Sequence, residues 1–375
     1  MNRAMQVFDV KEDEISPFET VDVFNENNIL GGFICRHPDH RYGALLITKV
    51  NDESCCQLIC PTPKMHYPFD KAGNFNWPEI RELQIWEKLD GTNILAYHYD
   101  HRGKDHVTFK TRLTPIIRDM KFGYFESMWR ELLETRQWII RIIQENPDFN
   151  ISFELFGERN PITIHYQNTL DAALLFGVRR LDYAVKPPTE LIGHEVANLP
   201  RAFPVDSIAD MTAVYNQIRA EMTEKNSVEI LEEGVMLYAH IGEPSWKQFK
   251  CKPEQVEKIH WANGGIPHNA LWTTAINTYE SNESPTLDDF IQLLREEYGE
   301  SQIQRSIIRV QKIYSEAQTH MEMVAAVNKA WMIAQGNGFD VTQDKAATMR
   351  FLSKYFDKKD MRKVGSIVLK QAGLL

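Results

Sequence analysis

Apolar residues follow two different periods along this chain. Up to about residue 252, short apolar runs are broken by Gly, Pro, Asn and Asp, which is typical of strands joined by turns. After about Pro285, apolar residues recur at helical spacing and no strand is predicted. The pattern predicts an α+β region with a largely antiparallel sheet framework, followed by an all-helical region.

The same pattern predicts individual elements. A hairpin is expected over residues 43–60, and strands over 83–87, 92–99, 107–113, 151–158, 172–181, 234–240 and 246–252. Helices are expected over 123–144, 207–225, 288–297, 302–334, 344–356 and 360–371. We expect an N-terminal β-rich extension (residues 1–80), a central domain (81–283) on which it packs, and a helical C-terminal domain (284–375).

Composition narrows the class of protein. The hydrophobic fraction is 43%, and no apolar run approaches the roughly 20 residues that span a bilayer. The first 14 residues are polar and acidic, without a signal-peptide core, so a cytoplasmic protein without a membrane partner is expected. The five cysteines fit no disulfide framework or zinc pattern.

Charge is unevenly distributed. The net charge of −10 argues against a protein coated with nucleic acid, yet it allows a local basic groove. The stretch from residue 344 onwards is locally basic, which is compatible with a solvated helical face or with an RNA-contacting patch.

The segment at residues 88–93, Lys-Leu-Asp-Gly-Thr-Asn, lies between two predicted strands and carries the chemistry. Asp-Gly alone is a common turn signal, and Lys-x-Asp-Gly occurs by chance in roughly one chain in ten of this length. A lysine there can attack a phosphorus atom if it is neutral and if cations surround the phosphates. No Gly-rich loop ending in Gly-Lys-Ser or Gly-Lys-Thr is present, so a P-loop ATPase is not expected.

Acids, an aromatic residue and a pair of lysines follow this lysine, each at a strand. They are Glu158 in segment 152–158, Phe176 in 174–177, Glu233 in 231–236, and Lys250 with Lys252 in 246–252. Because side chains alternate along a strand, the two lysines point to the same face. Two inward-facing cations are costly unless an anion lies between them, which predicts a phosphate site.

This ordered set, over about residues 83–252, resembles the covalent nucleotidyltransferase superfamily of ATP-dependent DNA ligases, RNA ligases and mRNA capping enzymes. The resemblance implies an ATP-grasp-like ligase domain at 81–283, using ATP and Mg²⁺, for which Mn²⁺ can substitute. It assigns these roles: Lys88 as the nucleophile that becomes adenylated, Asp90 and Gly91 as its motif partners, Glu158 to the ribose, Phe176 to adenine, Glu233 to the metal, Lys250 and Lys252 to the phosphates, and Asn93 to metal or substrate phosphate.

Segment 108–115 resembles the corresponding segment of phage and RNA-editing RNA ligases, in which an arginine contacts substrate, and Arg112 takes that place here. Those ligases carry histidine at the position of Asp90, whereas DNA ligases and capping enzymes carry aspartate. DNA ligases and capping enzymes also attach a small β-barrel after the last lysine motif, where this chain is predicted helical.

The resulting prediction is an ATP-dependent RNA ligase that joins 5′-phosphate and 3′-hydroxyl RNA ends, without an obligate protein partner. The alternatives are an ATP-dependent DNA ligase or mixed RNA/DNA nick-sealing enzyme, a GTP-dependent capping enzyme, and a non-catalytic RNA-binding protein that kept the fold. Single assignments also have alternatives: Phe176 as plain core, Arg112 as the partner of an acid, and Glu154 or Glu232 in place of the neighbouring motif acids.

Overall fold

The computed structural model describes residues 3–37, 39–70, 73–119, 124–160, 164, 166–205, 207–226, 232–242, 244–253, 266, 268–282, 285–298 and 300–372. Within these ranges the chain is α+β, with three antiparallel sheets followed by helices, as the sequence predicts. No helix in the described ranges is both long and apolar enough to cross a membrane.

Thirteen strands within the described ranges form the three sheets. The N-terminal sheet has the order β1-β2-β3-β4, with strands Ile15–Asp22, Asn28–Cys35, Leu45–Val50 and Glu53–Ile59. The central sheet has the order β10-β9-β8-β6-β7, with β6 Thr92–His101, β7 Lys104–Lys110, β8 Phe149–Phe156, β9 Asp171–Arg179 and β10 Val185–Lys186. The third sheet has the order β11-β5-β12-β13, with β5 Glu82–Glu87, β11 Ala202–Phe203, β12 Val235–His240 and β13 Trp246–Cys251.

The helices are α1 Arg3–Phe8, α2 Phe125–Thr135, α3 Gln137–Glu145, α4 Met211–Lys225, α5 His268–Ser281, α6 Leu287–Glu297, α7 Glu300–Gly336, α8 Lys345–Leu352 and α9 Met361–Gln371. The single helix predicted over 123–144 is wrong, because the chain leaves helical geometry at Arg136, where φ is −121° and ψ is 70°. The Arg136 side chain reaches Asp171 at 3.0 Å, an ion pair with β9 that no apolar period reveals. The predicted start at Gly123 lies outside the described residues.

The two faces of the central sheet have different partners. Helices α2 and α3 cover one face, where Trp129, Ile139 and Phe153 are fully buried in one cluster. On the other face, Tyr97 and Tyr99 pack against the N-terminal sheet, whereas Phe176 packs against the third sheet. The candidate site lies in the region where the central and third sheets face each other.

A buried carboxylate joins the N-terminal sheet to the central one. Asp22, at the end of β1, is fully buried and accepts hydrogen bonds from the hydroxyls of Tyr99 (2.8 Å) and Thr108 (2.9 Å). The same carboxylate accepts from the backbone N–H of Phe24 at 3.0 Å and the side chain of Asn25 at 2.8 Å. A buried charge is tolerable only when it is hydrogen-bonded in this way.

The helical region packs around α7. In the described part of the chain, the sequence pattern predicted neither α1 nor α5, and α5 packs with α6 and α7 through Leu271, Phe290 and Val310. Helical structure therefore begins before Pro285. The buried carboxylate of Asp289 forms an ion pair with Arg36, which ties the helical region to the N-terminal sheet.

Replacing Asp22 with alanine should destabilise the fold, because it leaves the Tyr99 and Thr108 hydroxyls buried without an acceptor. The expected loss is about 3 kcal/mol, measured by urea denaturation. Asp52→Ala, on an exposed turn of the same sheet, is the matched control and should change stability by less than about 0.5 kcal/mol. Equal stability of the two variants would contradict this account of the sheet junction.

Candidate active site

Lys88 lies in the connection from β5 of the third sheet to β6 of the central sheet. Its backbone N–H donates to the carbonyl oxygen of Gly234 at 2.8 Å, which extends the pairing of β5 with β12. Gly91 lets the connection pass close to β8, since a Cβ atom there would lie 2.3 Å from the carbonyl oxygen of Leu155. The backbone thus fixes Lys88 between the two sheets.

The carboxylate of Glu233 contacts two lysines. The Nζ atom of Lys88 is hydrogen-bonded to one carboxylate oxygen of Glu233, and Nζ of Lys252 lies 3.1 Å from the other. Burial works to lower the pKa of Lys88, but the nearby carboxylates, above all Glu233, which also accepts its hydrogen bond, outweigh burial and raise that pKa. Without a ligand, Lys88 is therefore held as a cation.

The strand alternation predicted around Lys250 and Lys252 is present. Cys251 is fully buried against α4 in the cluster that contains Tyr215, while both lysines are buried on the opposite side. Nζ of Lys250 lies 4.6 Å from the ring centroid of Tyr67. Lys252 has the Glu233 carboxylate as its counter-charge, so one buried cation lies beside Lys88, while the ammonium group of Lys250 contacts the Tyr67 ring.

Glu154, on β8, contributes a second acid to the same place. It is paired with Asn93 in the sheet and lines the cavity that contains Lys88. Burial raises the pKa of Glu154 to about 8, and Lys88 counteracts only part of this effect. The carboxyl is therefore mostly neutral at pH 7.

Glu232, the alternative to Glu233 in the sequence, is held by contacts with the surrounding chain. Its carboxylate accepts from Arg201 at 2.5 Å and from Lys225 at 3.3 Å. Its backbone N–H is bonded to Asn226 at 3.1 Å. Of these two adjacent acids, the one that meets Lys88 is Glu233.

Asp90 and Asn93 hold the surrounding segments. The Asp90 carboxylate accepts from the backbone N–H of Ile164 at 2.7 Å, and its own backbone N–H donates to the Tyr166 hydroxyl at 2.7 Å. The Asn93 side chain donates to the Ser152 hydroxyl at 2.7 Å and accepts from Thr62 at 2.9 Å. Both motif residues are thus engaged in positioning the loops beside Lys88.

A narrow cavity opens beside Lys88. Its walls are mainly apolar and are formed by Met65, Trp86, Glu87, Lys88, Leu89, Glu154, Leu175, Pro188, Pro200, Met236 and Tyr238. Its volume is about 40 Å³, far below the roughly 300 Å³ of a small ligand pocket. A nucleotide therefore requires the walls to move apart. Sequence reasoning missed most of these residues, although Met236 and Tyr238 alternate along β12 on the side of the lysines.

Three assigned residues lie apart from the Lys88–Glu233–Lys252 cluster. Phe176 is fully buried between the central and third sheets, in a cluster against which the cavity residue Leu175 packs. Glu158 is exposed in the turn after β8, where its backbone N–H donates to Asn168. Arg112 is partly buried, and its carbonyl oxygen accepts from Lys110 at 3.2 Å.

The arrangement of carboxylates bears on metal binding. Within the described ranges, no group of three or more His, Cys, Asp or Glu side chains could hold a metal ion. Both oxygens of Glu233 already bind lysines, and the Asn93 amide oxygen has Thr62 as a donor. These donors fit a Mg²⁺ ion whose other ligands are substrate phosphates and water better than a resident metal.

No protein-family model and no curated protein matches the sequence. A solved archaeal ATP-dependent RNA ligase is similar over 82% of this chain and 78% of its own, with 17% identity and a TM-score of 0.48. A structure named "Putative ATP-dependent DNA ligase from Aquifex aeolicus" is similar over all of both chains, with 14% identity and a TM-score of 0.47. A Naegleria gruberi RNA ligase mutant with AMP and Mn covers 47% of this chain, with 16% identity and a TM-score of 0.33. Similarity at this level does not establish activity or substrate, which are inferred below from the residues of the site.

Replacing Glu154 with glutamine should change how stability depends on pH. A carboxyl whose pKa is raised on folding contributes stability below its unfolded pKa of about 4.3, and this contribution is lost as pH rises through about 8. The glutamine variant cannot ionise, so its stability relative to wild type should increase between pH 5 and pH 8.5 by more than about 1 kcal/mol. Urea denaturation at both pH values measures this, with the exposed Glu158→Gln as the control. A difference that stays constant with pH would show that Glu154 ionises normally.

Proposed function

We propose that this chain is a covalent nucleotidyltransferase of the ligase type, and specifically an ATP-dependent RNA ligase that uses Lys88 as its nucleophile. One observation carries the proposal: Lys88 and Lys252 meet at the Glu233 carboxylate, beside an apolar cavity. An apolar slot suits a nucleobase, and the adjoining lysines suit its phosphates.

In the first step, the neutral amine of Lys88 attacks the α-phosphorus of ATP. A nitrogen–phosphorus bond forms, the bond to the pyrophosphate oxygen breaks, and pyrophosphate leaves. Glu233 accepts a hydrogen bond from Nζ of Lys88, so its carboxylate is placed to take the proton that Nζ must lose. We assign Lys250 and Lys252, both buried, to stabilising the negative charge on the phosphate oxygens.

Mg²⁺ would supply positive charge to the phosphate oxygens, and Glu233 with the Asn93 amide oxygen are the side chains that we assign to it. The remaining roles are also proposals. Glu158 would bind the ribose, Phe176 would support the adenine, and Arg112 would contact the RNA. A cytoplasmic site of action stays a prediction.

In the second step, a 5′-phosphate oxygen of the broken strand attacks the phosphorus of lysyl-AMP, and Lys88 leaves with a proton. In the third step, the 3′-hydroxyl attacks the activated 5′-phosphate, AMP leaves, and a phosphodiester forms. Each displacement needs its nucleophile in line with its leaving group, so positioning by the protein supplies much of the rate.

The helical content after β13 favours RNA as the substrate, because no strand follows Cys251 within the described ranges, whereas the DNA ligases and capping enzymes of the superfamily attach a β-barrel after the last lysine motif. Asp90 favours the alternative, a DNA ligase or mixed nick-sealing enzyme. Nicked duplexes that differ only in RNA or DNA at the 3′-hydroxyl strand separate the two. Faster sealing of the RNA nick by at least tenfold supports the RNA ligase, and equal or faster sealing of the DNA nick overturns it.

Replacing Lys88 with arginine should abolish covalent labelling by ATP, because a guanidinium keeps its proton at neutral pH and is not a nucleophile. Wild-type protein incubated with Mg²⁺ and ATP labelled at the α-phosphate should keep the label after denaturation. ATP labelled at the γ-phosphate should leave no label on the protein, because that phosphate departs in pyrophosphate. Lys225→Arg, which alters a lysine paired with Glu232, is the matched control and should label normally. Absence of label on the wild type, or equal label on Lys88→Arg, would refute the nucleophile.

A further inference from the structure

A second cavity, of about 520 Å³, lies along the outer edge of β13. Its polar lining consists of Lys64, His66, Asn76, Lys247 and Gln248, and we call it the edge groove. We propose that the edge groove binds the sugar–phosphate backbone of the RNA strand next to the ends being joined. The inference rests on the proposed ligase function and adds a substrate-binding surface that the nucleotide motifs do not include.

A single loop separates the edge groove from the candidate nucleotide cavity. Segment 62–67 runs beside β13, where the N–H of His66 donates to the carbonyl oxygen of Gln248 at 3.4 Å and the N–H of Lys250 donates to that of His66 at 2.9 Å. Met65 faces the nucleotide cavity, whereas Lys64 and His66 line the groove. A strand in the groove therefore lies one loop away from Lys88 and Lys250.

The groove is positively charged. Lys247 is exposed and Lys64 partly so, and within the described ranges neither forms an ion pair with a carboxylate. The acid at the Trp246 end is Glu190, whose carboxylate already binds Lys186 and the Trp246 indole. Partial burial and the positive charges of Lys64 and Lys250 lower the pKa of His66. Cations that form no ion pair within the described ranges, at an accessible groove, attract phosphodiesters.

The floor of the groove contains a buried hydrogen-bond donor. Gln248 is 7% exposed, and its Nε2 atom has no hydrogen-bond partner among the described residues. The amide interacts with the Tyr238 hydroxyl, which itself donates to the carbonyl oxygen of Leu175 at 3.1 Å. Because the amide has no hydrogen bond of normal geometry within the described ranges, a phosphate or ribose oxygen in the groove would supply a better acceptor.

An acidic protein segment could also meet lysines, but two features favour RNA. Lys250, which we assign to phosphate, follows the groove residues Lys247 and Gln248 on the same strand, so one polyanion that passes the 62–67 loop can meet both sites. The exposed chemistry is also dominated by donors, namely two ammonium groups, an imidazole and an amide, which match phosphate and ribose oxygens. We therefore commit to a ribonucleotide strand as the occupant.

The test measures RNA binding by Lys64→Ala/Lys247→Ala in the full-length chain without ATP, using fluorescence anisotropy with a nicked RNA duplex across a range of salt concentrations. Removing two phosphate contacts should weaken binding at least tenfold at low salt. It should also reduce the slope of log affinity against log salt by roughly 1.4–1.8. Lys49→Ala/Lys104→Ala removes the same charge from strands β3 and β7, whose residues do not line the groove, and should leave the slope unchanged.

Two further measurements separate the possible failures. Wild-type lysyl-AMP formation tests the proposed function by itself, and its absence refutes that function, whatever the groove binds. Gln248→Leu keeps both lysines and removes the buried donor, so it should weaken RNA binding with the salt slope unchanged. The edge groove is not an RNA site if the wild-type protein forms lysyl-AMP but the Lys64→Ala/Lys247→Ala variant keeps the wild-type salt slope. Circular dichroism confirms that this variant is folded.

Discussion

The bridge from Lys88 through the Glu233 carboxylate to Lys252 is the interaction on which the site depends. Lys88 comes from the connection between two sheets, whereas Glu233 and Lys252 lie at the ends of neighbouring strands of one of them. The three groups are largely buried, and buried charges persist only when each has a partner. The bridge therefore joins the connection that follows β5 to the ends of β12 and β13, at the edge of the slot.

The same bridge defines a resting state. Glu233 keeps Lys88 protonated, and the slot beside it is too narrow for a nucleotide. The proposed reaction requires the opposite conditions, with a neutral amine and an open slot. Entry of the triphosphate would give Lys252 and Lys250 new partners and would weaken the hold of Glu233 on Lys88. Nucleotide binding and activation of the nucleophile are coupled in this account because both act on one carboxylate. Glu154, held mostly neutral by burial, adds little negative charge at pH 7 to oppose an incoming phosphate.

Local periodicity predicted the parts of the fold that depend on it. The strand alternation that turns Cys251 away from Lys250 and Lys252 is a property of a few consecutive residues. The α+β class and the later helices follow from apolar spacing for the same reason. The break at Arg136 depends on an ion pair with Asp171, 35 residues away, which no local pattern contains. Helix α5 was missed because a weakly amphipathic segment gains its apolar partners only from α6 and α7.

The sequence likewise indicates those candidate-site residues that stand out in a local pattern, but not those whose position depends on contacts distant in sequence. Lys88, Glu233, Lys250 and Lys252 could be selected because charged residues at strand ends stand out in the sequence. Glu154 and Glu158 are both acidic and four residues apart, and only the register of β8 against β6 shows that Glu154 lines the cavity. The sequence is equally ambiguous at Phe176, because a core aromatic residue and one that stacks on a base have the same sequence pattern. Only the packing of the neighbouring sheet shows that Phe176 is buried.

The central claim is that Lys88 itself becomes bonded to AMP. Peptide mapping by mass spectrometry, after incubation of the wild-type chain with ATP and Mg²⁺ and digestion under mildly alkaline conditions, tests it most directly. The account predicts one AMP per chain, on the peptide that contains Lys88, and its loss when pyrophosphate is added back. AMP on another residue, or an unmodified Lys88 peptide in protein that consumes ATP, would contradict it.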